Sequence, residues 1–289
     1  MPIRLTLPPT FAARLAEAAA DAAPSERARP KIGMWVCSGS PIMAEIAAGS
    51  GLDWVLIDAE HSPNGLESIL AQLYAVSAYS VAPVVRVPIG DPVFIKQVLD
   101  LGAQNLLVPM VDSAEQAREL VRAVRYPGRA GGAGGVARGI RGVGGSLARS
   151  TRWNRVEGYL QDASQAISLF VQIESAAAVA AVDDILAVDG VDGIFVGPAD
   201  LAASMGVLGE QAHPDVVDAV LAALAAAQRA GKPAGVNAFV PEAADRYLAA
   251  GASFVSVGAD VSIVARASEA LAERFGANPS ANSAQGGVA

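Results

Sequence analysis

From about residue 32 to residue 275 one pattern repeats: a short apolar, β-branched run, a polar turn, then a longer stretch with apolar positions three and four apart. The first kind of run predicts a strand buried on both faces, and the second an amphipathic helix. Strands are predicted at Gly33–Cys37, Trp54–Asp58, Pro83–Arg86, Asn105–Val108, Leu169–Glu174, Gly193–Val196, Ala234–Asn237 and Phe254–Val257. Helices are predicted over 41–48, 65–78, 92–101, 114–125, 176–187, 215–230, 241–250 and 261–274. Ser113 with Gln116 reads as a capping box, and Gly49, Gly102, Gly231 and Gly251 stand where helices should stop. Eight such units predict an α/β protein, a (β/α)8 TIM barrel in one domain. An open, doubly wound sheet gives the same alternation; the count of eight favours the barrel.

The rhythm is absent at both ends and interrupted once. Residues 10–22 predict a short Ala-rich helix and 23–31 a linker with Pro24 and Pro30, so residues 1–31 precede a barrel domain over 32–275. The small, polar tail 276–289 is expected to be disordered. Residues 127–152 are rich in Gly and Arg and join the fourth and fifth strands. They read as a flexible surface loop, as a lid, or as a cradle of backbone N–H groups for an anion.

Composition removes several classes of function. The 289 residues carry 21 Lys+Arg against 29 Asp+Glu, a formal charge of −8, which disfavours nucleic acid and anionic membrane as partners. A single cysteine, Cys37, forbids an intrachain disulfide and leaves no sign of an oxidising compartment. Arg14, Glu17 and Asp21 interrupt the early apolar stretch, which therefore does not read as a secretory signal, and no apolar run is long enough for a bilayer. A cytoplasmic location is the expectation. No P-loop or GxGxxG falls between a strand and a helix, so neither nicotinamide nor another nucleotide is expected.

In a barrel of this kind the carboxyl ends of the strands form the one shared cleft. The second strand ends in Asp58-Ala59-Glu60-His61 and the third in Arg86. The fifth ends in Gln172-Ile173-Glu174, the sixth runs into Gly197-Pro198-Ala199-Asp200, and the seventh stops at Asn237. Glu174 and Asp200, from neighbouring strands, could share one cation; oxygen ligands without a His–Cys set suit Mg²⁺, Mn²⁺ or Co²⁺. Glu174 could instead cap the next helix, although Ser175 could do that equally well. His61 with a nearby carboxylate has the makings of a general base. On spacing alone Asp58 is its partner. Arg86 must find anions, either a substrate carboxylate or enolate, or a neighbouring acid. Cys37 reads as a small core residue and His213 as a loop residue before a helix. The three lysines, Lys31, Lys96 and Lys232, all fall away from the reactive ends, so neither a Schiff base to substrate nor PLP is expected.

These segments resemble the HpcH/HpaI aldolase family. The resemblance rests on Leu52-Asp53-Trp54-Val55-Leu56-Ile57-Asp58-Ala59-Glu60-His61-Ser62-Pro63-Asn64, Pro83-Val84-Val85-Arg86, Leu106-Leu107-Val108-Pro109-Met110, Arg141-Gly142-Val143-Gly144, Ser150-Thr151-Arg152-Trp153-Asn154-Arg155, Val171-Gln172-Ile173-Glu174 and Val196-Gly197-Pro198-Ala199-Asp200-Leu201. It implies a metal held by Glu174 and Asp200, with pyruvate chelating it and also touching Gln172 and the backbone of Ala199. It implies Arg86 at the enolate and His61 as base, its basicity raised by Asp100 of an adjacent subunit. A hexamer with an exchanged C-terminal helix is implied too.

The expected reaction is retro-aldol cleavage of a 4-hydroxy-2-keto acid to pyruvate and an aldehyde such as succinate semialdehyde. The chain departs from the pattern in a longer Gly/Arg-rich loop before Arg141, and in Asn237, where an apolar residue facing the aldehyde is expected. Two other readings are a lyase for citramalyl- or malyl-CoA-type thioesters and a catalytically silent metabolite-binding barrel. Turnover of hydroxy-keto acids but not thioesters, and proton exchange at the pyruvate methyl group, separate them from the aldolase.

Overall fold

The computed structural model describes residues 3–21, 28–128 and 138–276. Eight strands, β1 (Lys31–Val36), β2 (Trp54–Asp58), β3 (Ala82–Arg86), β4 (Asn105–Val108), β5 (Ser168–Ile173), β6 (Gly193–Val196), β7 (Ala234–Asn237) and β8 (Phe254–Ala259), pair in parallel in chain order. The pairing of β8 with β1 closes the barrel. Around it lie α1 (Phe11–Asp21), α2 (Pro41–Ala48), α3 (Leu66–Ala75), α4 (Pro92–Asp100), α5 (Ala114–Val124), α6 (Tyr159–Asp162), α7 (Ala176–Ala180), α8 (Val182–Leu186), α9 (Pro198–Ser204), α10 (Pro214–Arg229), α11 (Pro241–Ala249) and α12 (Asp260–Phe275).

The strands alternate as a closed sheet demands. Val55, Ile57, Val85, Val171, Ile194 and Val255 face the helices, whereas Trp35, Trp54, Leu56, Phe170, Phe195 and Phe254 fill the interior. Two interior positions must be glycine: a Cβ on Gly33 would strike the Trp54 ring, and one on Gly235 the Phe254 ring. The N-terminal helix is part of this core. Phe11, 1% exposed, reaches the rings of Trp54, Phe170 and Phe254 at centroid distances of 5.6, 5.7 and 5.1 Å. The backbone N–H groups of Phe11 and Ala12 donate to Asn105 Oδ1 and Ser168 Oγ, so α1 plugs the amino end of the barrel. The site belongs at the opposite end, where the carboxyl ends of the strands meet.

Differences from the expected elements are local. The stretch 176–187 forms two short helices broken at Ala181, which leaves helical geometry at φ −98° and ψ 5°. The predicted helix over 65–78 ends as a 3-10 turn over Val76–Ala78. Ser113 does cap α5, but the Gln116 side chain accepts from Asp112 N–H rather than closing a box. Gly102, Gly231 and Gly251 end helices with positive φ, whereas Gly49 caps α2 at φ −82°. Of the Gly/Arg-rich segment, residues 129–137 lie outside the described residues, as do 22–27 of the linker and 277–289 of the tail. Residues 140 and 141 are pinned, with Ile140 N–H donating to Arg122 O and Arg141 N–H to Arg125 O. Among the described residues no helix is long and apolar enough to cross a membrane.

Candidate active site

The β2 end is built around Asp58. Its carboxylate accepts from the N–H of Glu60 (3.1 Å) and His61 (3.3 Å), from Ser62 Oγ (2.9 Å) and from Arg86 Nε (2.8 Å). Asn64 donates to the Asp58 carbonyl at 2.6 Å, which ties the rest of the turn down. Asp58 and Arg86 are register partners on β2 and β3, so both side chains point to the same interior level. Burial pushes the Asp58 pKa up, but Arg86, the Glu60 N–H and the Ser62 hydroxyl more than offset it and hold it below the ordinary 3.8.

Arg86 is 1% exposed, stacked on Trp35 with Cζ 4.1 Å from the ring centroid, and paired through Nη1 to Glu60 Oε2 at 2.7 Å. Its Nη2 is buried and has no partner among the described residues. Both sequence readings of this arginine are therefore met in part: two acids neutralise it, and one donor remains free for a ligand.

The partnership expected between Asp58 and His61 is not formed. Asp58 holds the His61 backbone, while the carboxylate near the imidazole is Glu60, with Nε2–Oε1 at 3.8 Å. The alternation of inward and outward positions explains this: Asp58 points down into the barrel, whereas His61 lies on the turn above it, 66% exposed at the side chain. Asp100 ends α4 and pairs with the buried Arg141 at 2.9 Å, so within one chain it does not meet His61.

At the β5 end, Ser175 caps α7 through Ala178 N–H, which frees Glu174 from that duty. Glu174 is 6% exposed and accepts from Met110 N–H at 2.6 Å and from the Gln172 amide. Met110 adopts φ 57°, a left-handed conformation uncommon for a non-glycine residue, to aim that N–H. Gln172 Oε1 stays buried without a partner. Gly197 lets β6 approach: a Cβ there would lie 3.0 Å from Gln172 Nε2 and 3.1 Å from Glu174 Oε2. Asp200 and Ala199 are exposed in the first turn of α9, where backbone N–H groups have no intrahelical acceptor.

Electrostatically the mouth is short of positive charge. Burial is the first cause of a raised Glu174 pKa; Met110 N–H and Gln172 oppose it, and Asp200 pushes it further up. Burial likewise raises Glu60, with Glu174 and Asp58 adding to the effect and Arg86 and His61 opposing it. Asp58, Glu60 and Glu174 thus share one arginine, and Asp200 adds a further negative charge beside Glu174. A cation between Glu174 and Asp200 would relieve this directly, and hard carboxylate oxygens suit a divalent ion. Among the described residues no three His, Cys, Asp or Glu side chains converge on one point.

The remaining candidates fall into place as well. His213 caps α10 by accepting from Asp215 N–H through Nδ1. Lys31 begins β1 beside Asp53, Lys96 lies on α4, and Lys232 donates to the carbonyls of Val188 and Val191 before β7. The Cys37 thiol is half-buried and, chiefly through desolvation, pushed up to about 11, which makes it a poor nucleophile. Asn237 ends β7 with Oδ1 buried and unpartnered. Sequence reasoning passed over Glu60 as the second carboxylate on Arg86, and Trp35 beneath the guanidinium. The short spacing from Asp58 was a signal for the first; nothing local marked the second.

Replacing Asp58 with asparagine is expected to cost about 3 kcal/mol near pH 7, because it leaves a buried guanidinium short of one counter-charge. A carboxyl whose folded pKa is depressed stabilises the fold above its unfolded value and loses that contribution as pH falls through the folded one. The gap between the wild type and D58N, measured by urea unfolding, should therefore narrow below about pH 4. A gap unchanged at acid pH would mean that Asp58 acts through shape alone.

Residues 31–267 match the model of the family described as HpcH/HpaI aldolase/citrate lyase. A hydroxypyruvate/pyruvate aldolase of Deinococcus radiodurans is 54% identical over 247 residues, 86% of each chain. A 4-hydroxy-2-oxo-heptane-1,7-dioate aldolase of Shigella sonnei is 49% identical over 253 residues, 88% of this chain and 93% of its own. Among solved structures, an HpcH/HpaI aldolase/citrate lyase family protein of Burkholderia cenocepacia superposes with a TM-score of 0.79 at 40% identity, covering 85% of this chain and 94% of its own.

Proposed function

This chain belongs to the HpcH/HpaI aldolase/citrate lyase family, and on that premise we propose that Glu174 and Asp200 hold Mg²⁺, Mn²⁺ or Co²⁺ for aldol chemistry at a 2-keto acid. It is a carbon–carbon lyase that releases pyruvate and an aldehyde. The observation that carries the site is Glu174: a buried carboxylate, relieved of helix capping by Ser175 and raised in pKa by burial and Asp200. When bound, a divalent ion supplies Lewis-acid polarisation of the keto group.

The side chains divide the remaining work. The Gln172 amide N–H and the first-turn N–H of Ala199 orient the keto acid by donating to its oxygens. His61 takes the proton of the C4 hydroxyl, the C3–C4 bond breaks, and its electron pair becomes the enolate of pyruvate. Arg86 Nη2 donates to the negative charge that develops there. Return of a proton to C3 completes pyruvate. The Arg86 donor is preorganised, because Asp58, Glu60 and the Trp35 face fix the guanidinium before substrate arrives.

Treatment with a chelator is expected to abolish release of pyruvate from a 4-hydroxy-2-keto acid, and added Mg²⁺, Mn²⁺ or Co²⁺ to restore it. Full activity in chelator would overturn the metal role. The hexamer is proposed on the same footing. It is supported by α12, where only Asp260 is buried while Val261, Ile263, Val264, Leu271 and Phe275 are exposed. An uncovered apolar helix of this length seeks a partner surface. In such an assembly Asp100 of one subunit would serve His61 of another. A monomeric mass in solution by light scattering would remove both ideas.

A further inference from the structure

Opposite the acidic half of the mouth, three buried polar atoms have no partner among the described residues: Asn237 Oδ1 on β7, Ser256 Oγ on β8 and Trp35 Nε1 on β1. These strands are consecutive around the barrel, and Asn237 and Ser256 are register partners. All three side chains take the inward phase of their strands: Trp35 packs with the interior cluster, and Asn237 and Ser256 lie two residues beyond the inward Gly235 and Phe254. Ser256 is wholly buried and Trp35 is 9% exposed. Neither the Asn237 amide nor the Ser256 hydroxyl bonds to any described residue. Buried polar groups are rarely left without a partner in a native protein, and two register partners left so, with a third on the next strand, point to a ligand.

The chemistry of the set is neutral, with an amide, a hydroxyl and an indole N–H. The acid next along the chain from β8, Asp260 at the start of α12, is occupied by the N–H groups of Cys37, Ser38 and Val261. No cation faces the cluster from β7, β8 or β1; the guanidinium of Arg86 lies against the Trp35 face and is held by two carboxylates. Among the described residues of these strands a second carboxylate on the substrate would find no counter-charge, whereas a hydroxyl finds both a donor and acceptors. Strand β7 is the neighbour of β6, which leads into Asp200, and neighbouring strands lie about 4.8 Å apart. That spacing carries the cluster one or two carbons past the carbon that reacts. Phe239, edge-on to Trp35 at 6.2 Å, closes the outer side with an apolar wall.

We infer that Asn237, Ser256 and Trp35 form a hydroxyl-reading subsite, so that the aldehyde this enzyme joins to pyruvate is a short hydroxyaldehyde rather than one bearing a carboxylate. The inference rests on the aldolase reading and names its second substrate class. In the synthetic direction C3 of the enolate forms a bond to the aldehyde carbon, and the carbonyl oxygen takes the proton that His61 returns. Throughout, the neighbouring hydroxyl stays bonded to the subsite. The thiol of Cys37 remains protonated and does not compete for the aldehyde.

The test compares aldol addition of pyruvate to glycolaldehyde, to acetaldehyde and to succinate semialdehyde. Glycolaldehyde is intrinsically more electrophilic than acetaldehyde, so the readout is the ratio of their kcat/KM values in wild type divided by the same ratio in N237L and in S256A. That quotient cancels intrinsic reactivity and any loss common to both aldehydes. It is expected to be about tenfold for N237L and severalfold for S256A, the scale of one neutral hydrogen bond. Wild type should also prefer glycolaldehyde to succinate semialdehyde. Should N237L fail to fold, S256A, which removes one atom, carries the test. A quotient of one in every folded variant, or a preference for succinate semialdehyde, would overturn the inference. Wild type that fails to exchange the pyruvate methyl protons would instead refute the aldolase reading beneath it.

Discussion

Replacing Glu174 with glutamine is expected to lower kcat about a thousandfold while leaving the fold intact. The change is isosteric. Met110 N–H, at 2.6 Å from the present carboxylate, keeps an oxygen to donate to. The Gln172 amide N–H, which donates to the carboxylate, must turn away, and its Oε1, now without a partner, then accepts from the new amide. What disappears is a buried negative charge that burial and Asp200 already disfavour. The metal-free variant should therefore be no less stable than metal-free wild type. The discriminating measurement is thermal unfolding with and without Mn²⁺. Wild type should gain stability by mass action as the ion binds, and the variant should lose most of that gain. A variant that stays active and keeps its Mn²⁺-dependent shift would show that Glu174 does not hold the ion.

His61→Ala should slow aldol cleavage by about 100- to 10,000-fold, the range for loss of a positioned general base. Pyruvate binding should change little, because the ring stands above the keto-acid site and not within it. Stability should also hold to within about 0.5 kcal/mol. The anchor at this position is the backbone N–H on Asp58, which alanine retains, and the imidazole itself is largely exposed. Steady-state kinetics with pyruvate affinity measured separately checks the split; equal loss of kcat and pyruvate binding would mark a structural histidine. D100N and E60Q then assign its carboxylate, since the true partner is the one whose removal lowers kcat without dislodging pyruvate. E60Q also touches Arg86, so its effect on pyruvate binding is the control.

Much of the scaffold was legible because a closed parallel sheet writes itself into sequence. Its strands are buried on both faces, so they appear as continuous apolar runs, and β2 and β4 fall where those runs do. Helices of two turns or more carried enough periods to be seen; α2 matches its expected span. The elements that escaped, α6 and α9, have four and seven residues, too few to show a 3.6-residue period. The break at Ala181 escaped for another reason: alanine is a good helix former, and only packing interrupts it there. The N-terminal helix was visible, but its place as the plug of the barrel was not, because that place depends on Asn105 and Ser168, more than ninety residues away.

At the site, the sequence by itself determined which residue types gather at the mouth, since strand ends in a closed barrel converge whatever the loops do. Asp58, His61, Arg86, Gln172, Glu174, Asp200 and Asn237 were all available from that rule. Tertiary structure alone decided who touches whom. Asp58 serves Arg86 and the turn rather than the imidazole, Glu60 joins the guanidinium, and Ser256 and Trp35, like Asn237, keep a buried polar atom without a partner among the described residues. The reason is geometric: strand order follows from the chain, but register and side-chain phase between strands are fixed only when the barrel closes, and a shift of one residue would exchange every inward group for an outward one.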